Sequence, residues 1–139
     1  MISVDLEGAV RLSRACLPGM VKKGWGRIVN FAGMNAIHGH AGRTPVSVAK
    51  HGVWGLTKAL AMEFGPKGIT TNTISPGPIA PDVEEKNASA QARAQTLARV
   101  PLGRFGQPVE VAAAARLLVS DAGGYINGQM IQVNGGGAT

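Results

Sequence analysis

Cysteine is nearly absent from this chain. Cys16 is the only one among 139 residues, so no disulfide forms within the chain and no cysteine-based metal site can be built. Its place among apolar residues in a helical stretch predicts a buried, inert thiol. Histidine is also scarce, and His38, His40 and His51 do not fall at metal-ligand spacing, so no metal is expected. No apolar run reaches the roughly 18 residues of a membrane span. Asp5 and Glu7 do not match the charge pattern of a signal peptide. A cytoplasmic protein away from membranes is therefore expected. Acidic residues are few, 8 against 14 basic ones, giving a net charge of +6. That balance would favour nucleic acid, but the basic residues are scattered, and two Trp, one Tyr and three Phe offer little stacking surface. No nucleic-acid partner is expected.

The chain does have an ordered alternation of elements. Residues 27–32 form a short apolar, β-rich run closed by Gly33. Residues 46–64 carry apolar side chains at helical spacing, with Thr44 as the expected N-cap and Pro45 at the first helical position. Gly65, Pro66 and Gly68 end that helix, and residues 69–75 form a second strand, stopped by Pro76-Gly77-Pro78. Strand, helix, strand at this spacing predicts a parallel crossover unit. Ligands in such sheets sit beyond the carboxyl ends of the strands, here at residues 33–44 and 76–82. Residues 2–23 read as a helix that Pro18 should kink or end. Residues 80–99 are polar and alanine-rich with almost no apolar face, so a mobile segment is expected. A helix opens at Gln107 or Pro108 and ends before Gly123-Gly124, and residues 129–133 alternate as a short strand. Nothing divides residues 1–139 into two domains.

Six segments in this order carry a family resemblance. They are Gly26-Arg-Ile-Val-Asn-Phe31, Ser47-x-x-Lys50, Leu56-Thr-Lys-Ala-Leu-Ala61, Gly68-Ile-Thr-Thr-Asn-Thr-Ile-Ser-Pro-Gly-Pro78, Pro101-Leu-Gly-Arg-Phe-Gly106 and Gly128-Gln-Met-Ile-Gln-Val-Asn-Gly135. Together they resemble the second half of the short-chain dehydrogenase/reductase family and span almost the whole chain. The resemblance implies an α/β fold: the last three strands and associated helices of a Rossmann-type, doubly wound parallel sheet. It also implies carbonyl or alcohol redox chemistry with NAD or NADP. Lys50 and the backbone of Pro76, Gly77, Pro78 and Ile79 would then lie against the cofactor.

The family's catalytic set is a Tyr four residues before the Lys, a Ser in the preceding loop and an Asn on the preceding helix. Here those positions read Val46, Gly33 and Asp5, the last within Val4-Asp-Leu-Glu-Gly8. Valine has no proton to give, and positioned acid–base catalysis contributes roughly 10²–10⁴-fold. Ser47 lies one residue along the helix, about 100° away from the Lys50 face. His38 and His40 stand in the framing loop as the alternative proton carriers, or simply as solvated side chains. The family also opens on a Gly-rich turn that takes the cofactor pyrophosphate at a helix N-terminus. Met1 lies only 49 positions before Lys50, and no such turn follows a strand in that interval.

Two expectations follow. This chain alone should have little or no oxidoreductase activity, whether as a family homologue, a silent assembly partner or a truncated product. It should also associate, with itself or with an intact homologue, through the helices at 2–23 and 46–64. Gly52, Gly55, Ala59 and Ala61 leave small surfaces there for another helix, or alternatively for packing against the sheet. Gly in a helix interior costs about 1 kcal/mol relative to Ala, which points to a packing need.

Overall fold

The structure is a computed structural model that describes residues 2–39, 41–80 and 89–137. The chain opens with a π-helical turn, Ile2–Glu7, that runs into helix α1, Gly8–Lys23. Strand β1 (Gly26–Phe31) leads through a short 3₁₀ turn, Met34–Ala36, to helix α2 (Thr44–Phe64). Strand β2 (Ile69–Pro76), helix α3 (Ala90–Leu97), helix α4 (Pro108–Val119) and strand β3 (Met130–Val133) complete the order. The three strands form one parallel sheet in the order β1-β2-β3. Gly26 pairs with Ile69 and Phe31 with Ile74, while Thr73 pairs with Met130 and Pro76 with Val133. The expected α/β sheet with parallel crossovers is what forms.

Several local expectations are corrected. Helix α1 does not end at Pro18. Pro18 and Arg14 are both exposed, so the carbonyl that loses its N–H partner lies on the hydrated side. Cys16 is exposed rather than buried, because the turns of α1 that meet the core present Ser13 and Leu17 instead. Thr44 is not the N-cap of α2: the helix begins at Thr44 itself, Arg43 precedes it, and no side chain caps the end. Within the alanine-rich stretch, Ala90–Leu97 is helical, with the Ser89 hydroxyl accepting from the Ala92 N–H at 3.2 Å. None of its residues is buried, so alanine propensity and the cap account for it. The expected mobility of residues 81–88 lies outside the described residues. Among the described residues no helix is long and apolar enough to cross a membrane, and no group of three metal-ligating side chains forms.

The core joins Leu17 of α1, Leu60 of α2 and Ile69 of β2, with Met20, Ile28, Leu56 and Phe64 packed around them. Strand β2 sits between its neighbours and is buried from Ile69 to Ser75, although five of those residues are polar. The side chains of Asn72 and Thr73 are drawn into cross-links, whereas the buried hydroxyls of Thr70, Thr71 and Ser75 make no hydrogen bond among the described residues. Asn30 Nδ2 donates to Thr57 Oγ1 at 2.9 Å, and Thr57 Oγ1 lies 2.7 Å from Thr73 Oγ1, tying β1, α2 and β2 together. Asn72 donates to the Ile126 carbonyl at 2.7 Å and accepts from the Gln129 N–H at 3.0 Å. Asn127 accepts from the Thr71 N–H at 2.9 Å and donates to the Ala61 carbonyl at 3.1 Å, extending the ladder before β3 begins. Leaving a buried partner unsatisfied costs about 1–3 kcal/mol. Asn72→Ala strands both the Ile126 carbonyl and the Gln129 N–H, so denaturant unfolding should show a loss of at least about 2 kcal/mol.

A second clip opens α4. Arg104 donates to both carboxylate oxygens of Glu110, at 2.8 and 2.7 Å, and Glu110 accepts from the Gln107 N–H at 2.7 Å. The Arg104 hydrogen bond first, then the Gln107 N–H, lower the Glu110 pKa from 4.5 to about 2. A lowered carboxyl pKa contributes stability above the ordinary value and loses it as pH falls through the folded one. The clip should therefore be intact above pH 4.5 and weaken progressively toward pH 2. An NMR titration of the Glu110 carboxyl should find its midpoint near 2, and Glu110→Gln should remove that part of the acid dependence of melting.

Candidate functional site

Helix α2 carries Lys50 on one of its faces with Val46 one turn before it. Lys50 Nζ lies 3.4 Å from Asp5 Oδ1 and donates to the Phe31 carbonyl at 3.4 Å. Three sequence-predicted elements thus meet at one point: the retained lysine, the residue at the asparagine position, and the end of β1 just before Gly33. The pair is part-exposed, with the Lys50 and Asp5 side chains 20% and 29% accessible. Its contribution to stability is about 1 kcal/mol or less. The Asp5 carboxylate gives the Lys50 ammonium an anionic partner within the chain.

Leu6 supports this arrangement. A methyl group built at Gly52 would meet Leu6 Cδ2 at 2.7 Å, so the glycine admits the π-helical turn that carries Asp5. Gly52 therefore serves packing within the chain, and Ala61 is likewise buried, whereas Gly55 and Ala59 are exposed.

Val46 is half-buried and brings no proton donor. Gly33 has φ +111°, a conformation that favours glycine, and a methyl group there would meet nothing within 4 Å. The Ser47 hydroxyl is buried and makes no hydrogen bond among the described residues. The His38 side chain is exposed, and His40 lies outside the described residues. His51 turns Nδ1 to the Ser47 carbonyl at 2.9 Å.

Beyond the carboxyl ends of β1 and β2, Met34 and Pro78 line a cleft of about 360 Å³ with Ala92, Thr96, Arg99 and Val100. Pro78 and Ile79 are held by a short parallel bridge to Gly106: the Gly106 N–H donates to the Pro78 carbonyl at 3.0 Å, and the Ala80 N–H to the Gly106 carbonyl at 2.8 Å. Gly77 donates to the Val133 carbonyl at 3.0 Å, and a methyl group there would stand 2.7 Å from Asn134 Cα. The Pro76–Ile79 turn is thus fixed against β3 and the loop before α4. The cleft touches both segments that the sequence reading singles out, through Met34 and Pro78, and adds Thr96 and Arg99, which that reading does not reveal. These residues come from loops and from α3, where no periodic pattern marks a lining position.

The family model described as enoyl-(acyl carrier protein) reductase matches residues 1–138. The 3-oxoacyl-[acyl-carrier-protein] reductase FabG of Pseudomonas aeruginosa is 41% identical over 136 residues, covering 98% of this chain and 55% of the relative. The acetoacetyl-CoA reductase of Rhizobium meliloti is 39% identical over 136 residues, covering 98% and 56%. The crystal structure of levodione reductase superposes with a TM-score of 0.91 at 33% identity, over 99% of this chain and 56% of that one. A structure from Beutenbergia cavernae, described as an NAD(P)-dependent gluconate 5-dehydrogenase, has NADP bound at low occupancy. It superposes with a TM-score of 0.90 at 35% identity, over 97% and 55%. This chain spans about half the length of the relatives it matches. With Lys50 on α2, the fixed Pro76–Ile79 turn and the parallel sheet all in family order, the chain belongs to the short-chain dehydrogenase/reductase family of oxidoreductases.

Proposed function

We propose that this chain is an oxidoreductase-family subunit that does not by itself carry out NAD(P)-dependent carbonyl–alcohol redox chemistry, and that it acts through assembly. The observation that carries this reading is the Lys50–Asp5 pair beside Val46. The group that would hold a cofactor ribose is held by a carboxylate, and the neighbouring position offers no proton. A nicotinamide dinucleotide fits these residues only in part. Lys50 and the Pro76–Ile79 turn supply a nicotinamide-side wall. Among the described residues no Gly-rich turn between a strand and a helix N-terminus is there to take a pyrophosphate. When bound, the cofactor supplies or accepts a hydride. The residues here contribute orientation and shape but no positioned acid. The relatives' names make acyl-carrier-protein and CoA thioesters the substrates to try first.

Calorimetric titration with NAD, NADP and their reduced forms should give no saturable binding at micromolar concentrations. Val46→Tyr with Gly33→Ser should still give no turnover of acetoacetyl-CoA with NADPH by the isolated chain. Saturable binding, or turnover by that double variant, would show that a working cofactor site forms without further elements.

Assembly is supported by the groove between α1 and α2. Val10, Leu17, Val21, Leu56, Leu60 and Phe64 line a space of about 600 Å³, flanked by Arg14 and Glu63. Val10 and Val21 are 41% and 37% exposed, and each 100 Å² of such apolar surface left in water forgoes roughly 2.5 kcal/mol. A second copy related by two-fold symmetry covers it, with Arg14 of each copy set opposite Glu63 of the other. Gly55 is exposed with open space around it, so Gly55→Glu leaves the monomer's contacts intact. Sedimentation velocity should show an oligomer for the unaltered chain and a shift to monomer for Gly55→Glu. A monomer in both cases would remove this part of the proposal.

A further inference from the structure

The amino ends of β1 and β2 carry a concave site of their own, at the opposite end of the strands from Lys50 and Pro78. Trp25, Arg27, Thr70, Gly124, Tyr125 and Asn127 line a hollow of about 640 Å³ there. Arg27 is its one charged group, and its side chain is only 8% accessible. Its Nε donates to the Ser120 carbonyl at 3.5 Å, and its Nη1 to the Gly26 and Gly68 carbonyls at 2.9 and 3.4 Å. Nη2 makes no hydrogen bond among the described residues. Its ion partner, Asp121 Oδ1, stands 4.0 Å away on a side chain that is 94% accessible. A cation taken out of water and answered mainly by neutral carbonyls retains a strong attraction for an anion.

The surroundings of Nη2 are shaped for a ligand. Gly124 leaves it uncovered, since a methyl group built there would lie 3.4 Å from Nη2. Thr70, the cross-strand neighbour of Arg27, is buried, and its hydroxyl has no hydrogen-bond partner among the described residues. The guanidinium lies over Trp25, 4.8 Å from the ring centroid, and the Trp25 indole N–H donates to Asp121 Oδ1 at 3.3 Å. Trp25 is nevertheless half exposed and Tyr125 wholly so, which leaves two aromatic surfaces on the same hollow.

We propose that this hollow binds a small aromatic carboxylate. The carboxylate accepts hydrogen bonds from Arg27 Nη2 and takes the place of Asp121 as its ion partner, while the ring packs against Trp25 and Tyr125. The buried guanidinium selects an anion. The nearby Asp121 carboxylate selects one charge over the two of a phosphate, because each added negative charge is repelled in turn. The site is independent of Lys50, of the α1–α2 groove and of any bound nicotinamide.

The test is a titration of the full chain with benzoate, followed by ¹H–¹⁵N correlation spectra. Trp25 and Trp54 give the only two indole N–H signals, and the Trp25 signal reports directly on the bond to Asp121. The Trp25 signal should shift saturably at about millimolar benzoate while the Trp54 signal stays in place. Benzamide, which keeps the ring without the charge, and acetate, which keeps the charge without the ring, should each bind about tenfold more weakly. Asp121→Asn removes the competing anion but keeps an oxygen for the indole N–H, and should tighten benzoate binding roughly threefold or more. Tyr125→Ala should weaken binding by a similar factor without changing the melting temperature. Arg27→Gln should abolish binding; if that variant does not fold, Asp121→Asn and the benzamide comparison decide. No saturable shift of Trp25, benzamide binding as well as benzoate, or weaker binding by Asp121→Asn overturns the proposal.

Discussion

The structure depends on satisfying a central strand whose interior is polar. β2 is covered on both faces and paired on both edges, yet it places Thr, Thr, Asn, Thr and Ser where aliphatic side chains would be the ordinary choice. An isolated buried amide or hydroxyl is costly in a low-dielectric interior, so the amide and hydroxyl of Asn72 and Thr73, which do find partners, offset the buried hydroxyls of Thr70, Thr71 and Ser75, which do not. Asn72 and Asn127 do this most economically. Each amide uses its carbonyl and its amino group at once, joining β2 to the segment that leads into β3 or to the end of α2. The Asn30–Thr57–Thr73 chain does the same between β1 and the middle of α2. The consequence is positional accuracy: α2 is pinned to the sheet by directional bonds near the level of Val53 and Leu60 as well as by the apolar contacts of Leu17, Leu60 and Ile69.

That accuracy sets what the candidate site looks like. Because α2 cannot slide, Lys50 reaches the end of β1, and the residue brought to it by the π-helical turn decides what it does. With Asp5 there, the ammonium finds an anion and a carbonyl within the chain. The cleft on the far side, between Met34, Pro78 and α3, is shaped by separate elements and keeps its walls regardless. Site shape and site chemistry are thus held by different parts of the fold.

How much of this was legible in the sequence follows from which signals are local. The run Ile28-Val-Asn-Phe31 and the apolar spacing of α2 located β1, α2 and the crossover, because period and breakers are encoded within a few residues. Strand β2 was recognised by its bounding glycines and prolines, but its burial was not, since that depends on Asn127 and Thr57 lying more than ten residues away. Cys16 differs for a related reason: the turns of α1 that meet the core present Ser13, Leu17 and Met20, and Cys16 falls beside them on the exposed side. Thr44 has a cap residue's chemistry but sits one position inside the helix, an offset that sequence alone does not fix. The Lys50–Asp5 contact joins residues 45 positions apart, so both residues stand out in the sequence but their pairing does not.

The left-handed backbone at Gly33 makes the two positions unequal in what they accept. At Val46 a substitution leaves helix α2 as it is, so a hydroxylated side chain fits there by exchange alone. At Gly33 the peptide stands at φ +111°, where any β-carbon is strained by roughly 1–3 kcal/mol. A serine fits there only if the turn into Met34–Ala36 shifts, and that turn is closed by the Ala36 N–H donating to the Gly33 carbonyl at 2.9 Å. Side-chain chemistry is therefore open to exchange on α2 and closed by the backbone at the end of β1.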